Sequence, residues 1–93
     1  MQLVYDSGFT IYAVIRRSDG HVYNHTTAAF EDWDDDNLTG GKYDYTLTDE
    51  DGDLYTWIFP LIISDDYSIV YYRQAGANPA NTDEIVTDKN SLD

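Results

Sequence analysis

The stretch Phe9 to Asn24, FTIYAVIRRSDGHVYN, constrains the fold of this chain more than any other. Along a strand, Phe9, Ile11, Ala13 and Ile15 point one way, and Thr10, Tyr12, Val14 and Arg16 the other. Both sets are largely apolar near the middle, so Phe9–Arg16 reads as a central strand covered on both faces. The Asp19-Gly20 pair that follows is a hairpin signal, because glycine accepts the positive φ of a primed turn. The chain then returns through His21 to Asn24 or His25. Strand, turn and strand are the expected framework.

The remaining segments fit around it. Met1 to Tyr5 reads as a short first strand or an ordered arm, closed by the turn formers Asp6-Ser7-Gly8. Ala28 to Trp33 suits a short strand, and Asp34-Asp35-Asp36-Asn37 suits a turn or a helical turn. Tyr43, Tyr45 and Leu47 alternate with Asp44, Thr46 and Thr48, the pattern of a half-buried strand with one wet face. Asp49 to Gly52 turns the chain into a strand over Leu54–Phe59, which Pro60 ends or places at an edge. Leu61 to Asp66 connects to a second central strand, Tyr67–Gln74. Gly76 to Asp83 (GANPANTD) is the longest loop, Glu84–Thr87 is a candidate last strand, and Asp88–Asp93 is expected to fray. The expectation is one all-β domain over residues 1–93, a single antiparallel β-sandwich of about seven short strands, Ig-like or transthyretin-like. Within it residues 1–8 form an arm or short strand and 88–93 a frayed tail. Ile11, Ala13, Ile15, Tyr45, Leu47, Trp57, Ile69 and Tyr71 are expected to be mostly buried.

Composition narrows the function classes. Five Lys and Arg face eighteen Asp and Glu in 93 residues, a formal charge of −13. That balance opposes binding to nucleic-acid phosphates and to anionic lipid. It favours solubility, a basic partner surface or cations. Nine tyrosines, three phenylalanines and two tryptophans separate the chain from acidic disordered segments and supply large buried areas to a small β-core. There is no cysteine, hence no disulfide framework and no thiolate metal site. The amino-terminal residues MQLVYDSGF lack the basic and apolar regions of a signal peptide, so synthesis in the cytoplasm is expected.

Three groups of residues invite chemistry. Asp49-Glu50-Asp51-Gly52-Asp53 offers carboxylates around a bend, as a calcium loop does, but without EF-hand spacing. Hairpin turns use the same residue types for backbone reasons. His21 and His25 would chelate on a helix; on a strand they stand roughly 13 Å apart, too far for one ion. Asp32, Asp34, Asp35 and Asp36 suit a solvated loop, a cation or a basic partner, and neighbouring Trp33 suits an interface anchor or core. No nucleophile motif, cofactor motif or metal-ligand spacing is present, so neither catalysis, a cofactor nor a bound metal is expected. The expected partner-binding residues are Trp33, Asp34, Asp35, Asp36, Asn78 and Pro79, the last two from the long loop.

The segments IYAVIRRSDGHVYN, AFEDW, YDYTLTDEDGDLYTWIFP and DYSIVYYRQAGANPANTDEIV, in that order, resemble a family of small β-sandwich proteins of bacteriophage and prophage structural regions. The likeness covers about residues 9 to 86. The pattern is also similar to the transthyretin-like or carboxypeptidase-regulatory-like sandwich, where a strand ending in Phe-Pro bends into a Tyr-rich strand. Members of the phage family tend to end in a strand bearing Gly and Trp, where this chain has TDKNSLD. The resemblance implies a non-enzymatic virion structural protein: a capsid decoration or cement protein, or else a tail or head–tail component. Its partners would be other virion proteins of a capsid or tail scaffold, in many copies, with a homo-oligomer as a further alternative, and with no nucleic acid and no membrane. A small carbohydrate- or protein-binding sandwich module is the other reading.

Overall fold

The computed structural model describes residues 1–62 and 66–89. In chain order it runs β1 (Gln2–Val4), β2 (Ile11–Arg16), β3 (Val22–Asn24), β4 (Ala29–Glu31), α1 (Asp35–Thr39), β5 (Tyr45–Thr46), β6 (Thr48–Asp49), β7 (Leu54–Thr56), β8 (Ser68–Arg73) and β9 (Glu84–Val86). The strands make two antiparallel sheets. One has the order β1-β7-β6, the other β4-β3-β2-β8-β9. In the larger sheet β5 pairs with the start of β2 (Ala13 opposite Tyr45), and β3 pairs with its end (Arg16 opposite Val22). The architecture is an all-β sandwich.

β2 is covered on both faces. Ile11, Ala13 and Ile15 are fully buried between the sheets with Leu3, Leu47, Tyr55, Trp57 and Val86. On the opposite face Tyr12 and Val14 pack with Val22, Leu38 and Tyr43. That second cluster is roofed by the 33–43 segment rather than by a sheet. β8 runs beside β2 over six residue pairs, from Ile11 opposite Arg73 to Arg16 opposite Ser68. Its other neighbour is β9, so both long runs are interior strands of the larger sheet.

Several details depart from expectation. Among the described residues nine strands replace about seven, chiefly because the Tyr43–Thr48 run is shared between sheets. β5 belongs to the larger sheet and β6 to the smaller, with Leu47, whose N–H donates to the Ile11 carbonyl at 2.9 Å, at the crossing. Within the β2–β3 connection, residues 17–21, the closing pair Arg17–His21 encloses a three-residue loop. The Arg17 N–H donates to the His21 carbonyl (2.9 Å), the Gly20 N–H donates to the Arg17 carbonyl (3.0 Å), and in that turn Gly20 alone takes a positive φ, 88°. A type I turn closed by a left-handed glycine thus replaces the primed turn. Phe9 precedes β2 and is exposed; its ring leans on Tyr5 and carries the Arg73 guanidinium at 4.9 Å. Of the expected core, Ile11, Ala13, Ile15, Leu47 and Trp57 are buried, while Tyr45, Ile69 and Tyr71 are half-buried at its margin.

The amino-terminal segment is a strand of the smaller sheet, with Leu3 opposite Tyr55. Of the tail expected to fray, Asp88 accepts from the Val4 N–H at 3.0 Å. The Lys89 N–H donates to the Val4 carbonyl at 2.8 Å, and its ammonium pairs with Asp6. Residues 90–93, and 63–65 of the expected Leu61–Asp66 connection, lie outside the described residues. Among the described residues no helix is long and apolar enough to cross a membrane.

Candidate functional site

The outer face of β2 needs a roof, and the residues after β4 supply it. Asp34, extended at φ −135°, caps α1 by accepting from the Asp36 N–H at 2.9 Å, which satisfies one of the donors a helix start leaves unpaired. Leu38 is the one buried residue of α1 and enters the cluster of Tyr12, Val14, Val22 and Tyr43. Glu31 ties the base of this excursion together. Its carboxylate accepts from the Tyr43 hydroxyl (2.6 Å), the Asn37 amide (2.8 Å) and the Asn24 amide (3.0 Å). The bonds from Tyr43 and Asn37 outweigh burial and hold the Glu31 carboxyl below the usual range. Burial, and then the bond to Glu31, raise the Tyr43 phenol.

Trp33 forms one wall of the roof. It is half-buried against Tyr43, with ring centres 5.2 Å apart. The Arg16 guanidinium lies over its ring at 4.4 Å, and its indole N–H donates to Asp35 at 2.5 Å. Trp33 is thus packed against the outer cluster while remaining partly exposed.

The 76–83 loop comes in from the β8–β9 end and is fastened by Asp83. This buried carboxylate accepts from the Tyr12 hydroxyl (2.7 Å), the Ala80 N–H (3.0 Å) and the Ala75 N–H (3.2 Å). Burial pushes the Asp83 carboxyl up, but these three bonds prevail and its titration is depressed. The Tyr12 phenol is raised far above its ordinary range by burial and by the adjoining carboxylate.

The two loops meet. The Asn81 amide donates to Asp35 at 3.0 Å, a contact between residues 46 positions apart. Beneath it lies a cavity of about 170 Å³ lined by Arg16, Trp33, Leu38, Tyr72, Ala80 and Asn81. On the outward side Glu31, Asp32, Trp33, Asp34, Asp35 and Asp36 line a shallow acidic concavity. His21, which also touches Asp19, contacts Asp32 at 3.1 Å.

The residues expected from sequence are distributed as follows. Trp33, Asp34, Asp35 and Asp36 stand together on this face. Asn78 is exposed on the second loop, and Pro79 is buried within it. Sequence reasoning missed Arg16, Leu38, Tyr72, Ala80 and Asn81. Arg16 and Tyr72 carried a usable signal, since both fall on the outward parity of their strands. Ala80 and Asn81 carried none.

The other candidates have backbone roles. Asp49 accepts from the Gly8 and Asp51 N–H groups (2.8 and 2.9 Å), and Asp53 accepts from the Ser7 N–H (3.1 Å). Residues 51–53 all have φ between 63° and 67°, a conformation that favours Gly and Asp. His25 faces the Asp44 carbonyl (3.1 Å) and the Tyr45 ring, away from the contacts of His21. Among the described residues no three His, Asp or Glu side chains are grouped to hold a metal ion. Comparison with protein-family models, curated proteins and solved structures finds no match to the chain.

Proposed function

We propose that the protein is a non-enzymatic virion structural protein, a capsid decoration or cement protein or else a tail or head–tail component. In this reading many copies dock on a scaffold of other virion proteins through the Trp33 face. The observation that carries the docking is the convergence of both irregular acidic segments on one half-exposed tryptophan, joined by Asn81 and Asp35. A charge of −13 keeps unbound copies apart, and a basic partner surface removes that repulsion locally. The virion assignment itself rests on the resemblance of residues 9 to 86. A small domain also gains stability when it binds a partner in its folded form alone. The test is whether particles purified from the source carry the chain in stoichiometric copies.

A second reading, a carbohydrate- or protein-binding module, has its own observation. An open groove of about 600 Å³ runs past His25, Asp44, Tyr45, Thr46, Thr48, Thr56, Trp57 and Ile58. One Asp44 carboxylate oxygen is buried and has no hydrogen-bond partner among the described residues. Glycan-array binding, together with absence from particles, would favour this module.

A further inference from the structure

The cavity beneath the Asn81–Asp35 contact has a chemistry distinct from the acids around it. Its apolar wall comes from Leu38, Ala80 and the rings of Trp33 and Tyr72. Polar groups share the lining: the Arg16 guanidinium, which lies over Trp33, the Asn81 amide, which is held by Asp35, and the Tyr72 hydroxyl. Leu38, Ala80 and the two rings offer a ligand apolar surface beside these polar groups. Its 170 Å³ equals the share of about six waters at ~30 Å³ each, or one side chain of leucine or methionine size. The walls are already fixed by stacking and hydrogen bonds, so little ordering is needed on binding. Trp33 is shared with the neighbouring acidic concavity, whose Asp32, Asp34, Asp35 and Asp36 are exposed, which suits positive charge on the incoming segment.

Resting on the docking reading above, we propose that this slot receives one apolar side chain of a partner segment that carries lysine or arginine on both sides of it. Such an anchor in a desolvated pocket, ringed by weaker contacts, is how small interfaces concentrate their affinity. A second copy of this chain is unsuited as the occupant. Its five basic residues are Arg16, Arg17, Lys42, Arg73 and Lys89, and none of its apolar residues lies between two of them at short range.

The probes are capped peptides Gly-Lys-Lys-X-Lys-Lys-Gly with X as leucine, methionine or glycine, titrated into the labelled full chain and followed by NMR. The leucine and methionine peptides should bind at least about tenfold tighter than the glycine peptide, as burial of one such side chain implies. Their shifts should centre on the Trp33 indole, the Ala80 methyl and the Asn81 amide. All three peptides should weaken with salt alike. Ala80→Leu, which fills the slot, should bring the leucine peptide down to the glycine level and leave the glycine peptide unchanged. Asp32→Asn with Asp36→Asn should weaken all three and keep their order. Equal binding of the leucine and glycine peptides to the wild-type chain overturns the proposal, and so does failure of every peptide to bind at low salt. The wild-type contrast decides even where Ala80→Leu does not fold. It also separates the two claims: absence of the chain from particles leaves the contrast standing, and loss of the contrast leaves particle copy number untouched.

Discussion

Replacing Asp83 with alanine removes the side chain that fastens the 76–83 loop to Tyr12 of β2. Three donors lose their acceptor: the Tyr12 hydroxyl, the Ala80 N–H and the Ala75 N–H. Hydrogen bonds to a charged group contribute about 1.5–3 kcal/mol each, but the three losses are unequal. Ala75 is exposed and Ala80 half-buried, so water can take over much of their bonding. The Tyr12 ring is buried at 1% exposure, and its hydroxyl is left with the long 3.5 Å contact to the Ala80 carbonyl. That donor carries most of the unsatisfied-group penalty of about 1–3 kcal/mol. Relief from burying a carboxylate offsets part of the total, which leaves a net loss of about 2–4 kcal/mol. For a domain of this size the loss corresponds to a fall in Tm of roughly 10–25 °C. Asp83→Asn keeps one acceptor but turns an amide N–H₂ toward a donor, and should cost about 1–2 kcal/mol. Urea titration followed by tryptophan fluorescence measures both, with an unchanged slope identifying a pure stability effect. A loss below about 0.5 kcal/mol for Asp83→Ala would refute the anchoring role.

Two further outcomes follow from the packing and the titrations. Ile15→Ala, at a fully buried site between the sheets, should cost about 2–5 kcal/mol. Ile69→Ala, at the half-buried margin, should cost clearly less, and urea midpoints in the reverse order would show that the facing of β8 is misassigned. The depressed Asp83 and Glu31 carboxyls contribute stability that is fully present above the ordinary carboxylate range near pH 4. It is lost as pH falls through their lower folded-state values. Asp83→Asn and Glu31→Gln should therefore lie furthest below the wild type near pH 6 and approach it toward pH 2, and a gap independent of pH would contradict the assignment.

β2 was legible because apolar residues on both parities leave a strand no exposed face, and the structure covers it on both. The second long run, β8, was legible by its β-branched and aromatic content. The split of Tyr43–Thr48 between two sheets was not. Its alternation is unbroken, and crossing at Leu47 needs no turn former. α1 was legible only as an alternative to a turn, since five residues are too few to establish a helical period. At the candidate site the acids and Trp33 announced themselves by composition. The slot did not, because it arises from contacts between residues far apart in the chain, such as Asn81 with Asp35, which no local pattern encodes. The acidic 49–53 turn shows the opposite case: its composition invites a cation, yet its carboxylates accept backbone N–H groups that close the turn and hold the 6–8 segment.

The proposed role puts this chain on a particle, docked there through its acidic Trp33 face. Quantitative mass spectrometry of particles purified from the source, washed at graded ionic strength, tests it most directly. Docking of this kind predicts a fixed copy number in whole-number ratio to a major particle protein at low salt. It also predicts loss of the chain as salt rises past about 0.1 M, where exposed charges are screened within roughly 10 Å, and faster loss when Asp32→Asn and Asp36→Asn are introduced together. Particles that never contain the chain would contradict the virion reading, and retention indifferent to both salt and those substitutions would contradict docking through this face.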